Sequence, residues 1–395
     1  MRIQDRTRDD HFRSDGRPKR ILALDGGGLR GILTLGILER IEGLLRERHG
    51  GDPDFRLCHY FDLMAGTSTG SIIAAALAQG WSVARLRDQY LALGQRVFSR
   101  NPLRQGLFRP RYDKRALNEE LREVLGAETT LDSPRLLTGL LVVTKRLDTG
   151  SVWPLGNNPR GRYFATDVEG STRNADYLLW QVVRASTAAP SFFEPESITI
   201  SATADHRPVV GHFVDGGVSP FNDPSLLAFL YATLDGYGVG WPTGADRLLL
   251  VSVGTGRKDP AERRSSIAIG HAVRALASVM QDCAAQQRAL LQWMSQSPTA
   301  GVIDRELGDL RGDLVPGGPL LSYLRYDVDL RREGVTALDG SVAASGRLES
   351  LARFDVPGNM PLLHRLGVLA GQRDVDPGHF SPVFDVLPGP QVTTP

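Results

Sequence analysis

The sequence predicts an α/β fold in which a mainly parallel central sheet is covered by helices on both faces. Three observations carry that expectation. Short apolar runs alternate along the chain with longer stretches of helical spacing, the order that builds parallel sheets through crossover helices. The apolar runs are continuous, as in strands buried on both faces. Several end in glycine-rich turns, and in a parallel sheet the strand C-termini gather along one edge.

The first strand is Ile21-Leu22-Ala23-Leu24, followed by glycines and then by Ile32, Leu35, Leu38, Ile41, Leu44 and Leu45 at helical spacing. Gly50-Gly51-Asp52-Pro53 supplies the breakers that end this helix. A second unit follows, a strand over 60–65 and a small-residue helix from Ser71. Helices are expected at 83–97 and 114–125, and neighbouring strands at 138–146 and 151–154, joined by Asp148-Thr149-Gly150. Residues 155–175 read as a polar loop, 177–185 as a helix ending near Pro190, 209–214 as a strand and 224–234 as a helix. The apolar run 247–253 is a strand ending in Gly254-Thr255-Gly256. Beyond a charged loop after Arg257, a long helix is expected over 267–293, strand signals return at 320–330, and a helix spans 346–354. Leu362-Leu363-His364-Arg365-Leu366 reads as helix, and the Pro/Gly-rich end after Gln372 as irregular.

Residues 1–19 mix Arg2, Arg6, Arg8, Arg13 and Arg17 with Asp5, Asp9, Asp10 and Asp15 and offer almost nothing apolar to bury, which predicts a disordered leader. Residues 20–330 then form the α/β domain, and 331–395 an extension packed on it whose role is not readable. The 395 residues suffice for a substantial core. A formal charge of +1, with no basic stripe carrying interleaved aromatics, argues against a nucleic-acid partner. Cys58 and Cys283 lie far apart and in no metal-ligand spacing, so no disulfide framework, zinc site or other metal is expected. No signal-peptide core and no apolar stretch of spanning length is present, which predicts a soluble, cytoplasmic protein.

The chemistry concentrates in Gly66-Thr67-Ser68-Thr69-Gly70, which joins the second strand to its helix. This is the context of a nucleophile elbow: a serine at the apex of a strained strand-to-helix turn, with Gly66 and Gly70 where backbone and helix must approach closely. Upstream, Asp25-Gly26-Gly27-Gly28-Leu29-Arg30-Gly31 lies between the first strand and its helix. Successive glycines let backbone amides converge at a helix N-terminus, a nest that favours an oxyanion. Gly26-x-Gly28-x-x-Gly31 also satisfies the dinucleotide fingerprint, which keeps a nucleotide-binding module as a rival. That fingerprint needs an acidic residue closing the second strand, and here the spacing lands on the loop residue Asp52. Asp215-Gly216-Gly217 ends a third strand, so parallel gathering of strand ends would bring Asp215 to Ser68.

With these three motifs in this order, the chain resembles the patatin-like phospholipase family of lipid acyl hydrolases. Ala185-Ser186-Thr187-Ala188-Ala189-Pro190-Ser191-Phe192-Phe193 and Val251-Ser252-Val253-Gly254-Thr255-Gly256 add to the resemblance, which spans about residues 20–260. It implies a three-layer α/β/α sandwich and a Ser-Asp dyad in place of a triad. By position it implies Ser68 as nucleophile, Asp215 as general base, and the Gly26, Gly27 and Gly28 amides as an oxyanion hole supported by Arg30. It also implies a phospholipid or other lipid ester as substrate, peripheral work at a membrane surface, and no cofactor. Ser71 departs from a second glycine often found after the elbow, and Asn222-Asp223-Pro224 from a common Asn-Asn-Pro. An unassisted carboxylate is a weak base at neutral pH, so Asp215 is expected in a desolvated site. His364 and His379 follow Asp215 in the order of a Ser-Asp-His triad and keep that esterase alternative open. Oligomeric state is not readable.

Overall fold

The computed structural model describes residues 6–97, 114–165, 171–190, 192–203, 205, 207–257 and 268–386. Expectations that fall on residues 1–5, on Ser191, on the charged loop through 267 and on the tail from 387 lie outside them. Among the described residues nine strands form one sheet: β1 (Lys19–Leu24), β2 (Leu63–Thr67), β3 (Gly139–Arg146), β4 (Val152–Gly156), β5 (Glu196–Ala202), β6 (Pro208–Asp215), β7 (Leu248–Val253), β8 (Ser295–Gln296) and β9 (Leu321–Tyr326). The order is β5-β6-β3-β2-β1-β7-β9-β8, with β4 also paired to β3. Pairings among β1, β2, β3, β7, β8 and β9 are parallel; those made by β4, β5 and β6 are antiparallel.

Because side chains alternate across a strand, β1 feeds two cores. Leu22 and Leu24 join one cluster with Ile32, Leu35 and Leu38 of the helix Gly31–Arg48, Ile73 of Thr69–Ala78, and Leu363 and Leu366 of Met360–Asp374. Ile21 and Ala23 join the other with Ala228, Phe229 and Ala232 of Ser225–Thr233 and Leu291 of Ala268–Met294. The result is the expected three-layer α/β/α sandwich. Among the described residues no helix is long and apolar enough to cross a membrane.

The helix Met360–Asp374 packs against Gly31–Arg48 through glycines. A Cβ on Gly367 would come 2.2 Å from the Leu33 carbonyl oxygen, and one on Gly36 would come 2.6 Å from the Val368 nitrogen. Only glycine at both positions lets the two helix backbones touch.

Two expectations are corrected, and one strand is added. The leader is folded over its described residues: Arg8–Phe12 is a helix with a Thr7–Asp10 capping box, and His11 and Phe12 are buried. Its charges are not all solvated, because Arg6 Nη1 donates to Asp62 Oδ1 at 2.8 Å and His11 Nδ1 lies 2.9 Å from the same oxygen. Burial opposes the charge on Asp62, but Arg20 and Arg6 hold its carboxyl well below the usual range. The helix expected over 346–354 is only Leu348–Leu351, leaving Phe354 in a bend. Strand β5 was not anticipated, since it is polar and largely exposed at the sheet edge and carries no apolar run.

Candidate active site

The elbow forms where β2 stops at Thr67 and the next helix starts at Thr69. Ser68 between them has φ +53° and ψ −124°, a conformation a non-glycine residue holds only when its surroundings impose it. The flanking glycines are what allow it. A Cβ on Gly66 would lie 2.3 Å from the Gly70 carbonyl oxygen, and one on Gly70 would lie 2.1 Å from that of Leu24. Ser71 Oγ donates to the Ser68 carbonyl at 2.6 Å, closing the first turn.

Asp215 reaches Ser68 by a route that differs from the one expected. Thr144 of β3 pairs with Trp153 of β4 and with Asp215 of β6, and Lys145 with Val152 and Val214, so β4 and β6 occupy opposite edges of β3. β2 pairs with β3 over Gly139–Val143 and β6 over Thr144–Arg146, which puts β2 and β6 end to end along one edge. The strands meet with their C-termini facing, because β6 is antiparallel to β3. Ser68 and Asp215 are therefore neighbours across a seam, and parallel gathering is not what joins them. Ser68 Oγ donates to Asp215 Oδ2 at 2.6 Å.

The seam interrupts the hydrogen-bond ladder, and the C-terminal end of the helix Leu179–Ser186 with the residues just after it fills the gap. Ser186 Oγ donates to the Val143 carbonyl at 2.7 Å and accepts the Ser68 amide at 2.8 Å; the Asp215 amide donates to the Ala188 carbonyl at 3.1 Å. Ser186 was visible in the sequence only as part of a weak motif, with no role attached.

Burial pushes the Asp215 carboxyl up to about 6. The Ser68 hydroxyl, the Gly217 amide at 2.7 Å on Oδ1, and the buried Arg184 cation oppose that rise. Arg184 is itself held by Asn118 Oδ1 at 3.1 Å and the Glu194 carbonyl at 3.0 Å.

The glycine loop stands against the elbow: a Cβ on Gly26 would come 3.2 Å from Ser68 Cβ. Its three amides are not equivalent. Gly26 N–H donates to the Asn222 carbonyl at 3.0 Å, whereas among the described residues no acceptor faces the amides of Gly27 and Gly28. Gly28 has φ +57°, and its carbonyl accepts Thr69 Oγ1 at 3.0 Å and Tyr90 Oη at 2.7 Å. Arg30 turns away from the pair, its Nη1 donating to the Gly256 carbonyl at 2.9 Å, so it ties the loop to the end of β7.

A buried ionic cluster underlies the loop, and sequence reading missed it. Arg325 of β9 places Nη1 2.8 Å from Asp25 Oδ1, 3.1 Å from Asp223 Oδ2 and 2.6 Å from Ser252 Oγ, and Nη2 3.1 Å from Asp327 Oδ2. Burial works against the arginine's charge, yet Asp25 and Asp223 hold it well above its usual range. The same burial raises the Asp25 carboxyl against the pull of Arg325. Asp223, the departure from Asn-Asn-Pro, is thus a partner of Arg325.

The histidines have partners elsewhere. His364 Nε2 faces Glu39 Oε2 at 3.3 Å, His379 Nδ1 lies 3.0 Å from the Tyr326 hydroxyl, and His212 Nδ1 lies 3.1 Å from Ser197 Oγ.

The family model described as patatin-like phospholipase matches residues 22–228, more than half of the chain and the stretch that carries every group of the Ser68–Asp215 pair. This chain belongs to the patatin-like phospholipase family. Within the family it is 32% identical over 216 residues to a cGAMP-activated phospholipase of Escherichia coli, a match covering 53% of this chain and 55% of that protein. It is 30% identical over 261 residues to Patatin-like protein 1 of Oryza sativa, covering 61% of this chain and 59% of the relative. The chain therefore spans little more than half the length of these two relatives. Among solved structures, human GIVD cytosolic phospholipase A2 matches at 14% identity with a TM-score of 0.39, over 93% of this chain and 58% of that one.

Proposed function

We propose that this family member is a lipid acyl hydrolase of phospholipase A type, cleaving ester bonds of phospholipids or related lipids at a membrane surface it meets peripherally. The observation that carries the reading is the 2.6 Å hydrogen bond from the half-buried Ser68 Oγ to Oδ2 of the buried Asp215. Asp215 takes the hydroxyl proton as Oγ attacks the ester carbonyl carbon. The tetrahedral oxyanion is met by the amides of Gly27 and Gly28, donors of a kind worth a few kcal/mol each. As the intermediate collapses, the ester C–O bond breaks and Asp215 returns the proton to the departing alcohol. Water, deprotonated by the same carboxylate, then releases the fatty acid and restores Ser68 Oγ–H.

Two alternatives are disfavoured on specific grounds. A Ser-Asp-His triad needs a histidine between Ser68 and Asp215, and these two bond directly. The dinucleotide fingerprint needs an acidic residue closing the second strand. Here β2 ends at Thr67, and Asp52 lies in a loop where Oδ1 accepts the Asp54 N–H at 2.9 Å. The test compares wild type with Ser68→Ala, Asp215→Asn and His364→Ala on a short-chain ester and on phospholipid vesicles. The first two are expected to lose about a thousandfold or more in turnover and His364→Ala to stay within about threefold of wild type, since it removes no group of the pair. Loss in His364→Ala with retention in Asp215→Asn would establish the triad.

A further inference from the structure

Two elements meet at Ser68: a Cβ on Gly26 of the glycine loop would come 3.2 Å from Ser68 Cβ, and Ser186 Oγ accepts the Ser68 amide at 2.8 Å. A residue from far outside the family-matched region 22–228 joins the glycine loop. The Phe354 carbonyl accepts the Leu29 amide at 2.9 Å, and a Cβ on Gly28 would come 2.5 Å from that oxygen and 2.9 Å from Phe354 Cβ. Phe354 is thus seated on the residue that offers one of the two open amides. Its ring meets Phe192, just beyond the helix that ends at Ser186, with centroids 4.9 Å apart and planes tilted by 56°. Both residues are half-buried, so the pair offers apolar surface next to the two elements that hold Ser68.

Building on the dyad reading, we infer that Phe354 and Phe192 form the wall against which the acyl chain of the ester lies, and that Phe354 sets chain-length preference. When the ester carbonyl oxygen occupies the Gly27 and Gly28 amides, the first methylenes of the acyl chain leave the carbonyl carbon beside Gly28, the residue on which Phe354 is seated. Each methylene withdrawn from water against the rings adds binding that a two-carbon acyl group cannot use. The bond to the Leu29 amide fixes Phe354 by its backbone, so the ring can be removed without releasing the loop.

The experiment measures kcat/KM on p-nitrophenyl acetate and p-nitrophenyl decanoate, with thermal unfolding, for wild type, Phe354→Ala, Phe354→Leu and Ser68→Ala. Phe354→Ala is expected to lose about tenfold on decanoate while staying within about twofold on acetate, where no methylene contact exists to lose. Phe354→Leu should recover most of the decanoate activity. A gain on both esters would mean that the rings shut the site, and an equal loss on both would mean a purely structural role; either overturns the inference while Ser68→Ala remains inactive. Activity surviving in Ser68→Ala overturns the dyad reading, and the wall with it.

Discussion

At the scale of the residue, the proposed role of Asp215 as general base predicts the pH behaviour. In that role Asp215 must be ionised, and burial pushes its pKa from 3.8 up to about 6. The kcat/KM profile is therefore expected to fall about tenfold per pH unit below an acid limb near 6, and a limb near 4 would show that the base is another group. The same shift has a stability sign. Between 3.8 and about 6 the folded protein keeps a proton that the unfolded chain has released. The contribution is complete below the unfolded value, declines as pH rises through the interval, and is absent above the folded value, a change of at most about 3 kcal/mol. Asp215→Asn is expected to melt above wild type at pH 7 and close to it at pH 4, where the carboxyl is already neutral. Equal melting temperatures at both pH values would contradict the buried, desolvated site.

At the scale of the element, the elbow depends on two backbone approaches that exclude any side chain. Gly70→Ala would drive a Cβ to 2.1 Å from the Leu24 carbonyl and is expected to cost about 3 kcal/mol or more. Gly43→Ala is the control: it lies in the helix Gly31–Arg48 with nothing within 4 Å of its Cβ position. It should gain about 0.5–1 kcal/mol from helix propensity. Urea denaturation of both variants checks the contrast, which fails if they shift alike. The same elements show what a sequence displays. Ile21 to Leu24 and the helix from Gly31 were legible because burial on both strand faces and a 3.6-residue period leave strong apolar signals. The position of β6 was legible from its apolar Val209-Val210 and Phe213-Val214, although its outer half is exposed, but its direction was not. Nothing local in Val209 to Val214 says that it runs against β3, and that direction is what sets Asp215 opposite Ser68.

At the scale of the whole molecule, the contacts that escaped sequence reading join groups distant in the chain. Arg325 binds Asp25 and Asp223 across 300 and 102 residues, and Arg6 binds Asp62 across 56. Read one at a time, these are ordinary surface charges, and only the fold makes them buried partners. Removing the cation alone leaves the acids uncompensated. Arg325→Met is expected to cost about 3–5 kcal/mol at pH 7, read as a lower urea midpoint; an unchanged midpoint would mean that the cluster does not hold the ends of β1, β7 and β9 and the Asp223 loop together. The motifs at Ser68, Asp215 and the glycine loop were legible because each is contiguous and glycine-marked. The places of Ser186 at the seam and of Phe354 against Gly28 exist only after folding.

The most direct measurement is fatty-acid release from phosphatidylcholine vesicles by wild type, Ser68→Ala and Asp215→Asn, each shown to be folded by its melting curve. Release by wild type, with loss of about a thousandfold in both variants, is the predicted result. Release that persists in folded Ser68→Ala or Asp215→Asn would contradict the Ser68–Asp215 mechanism.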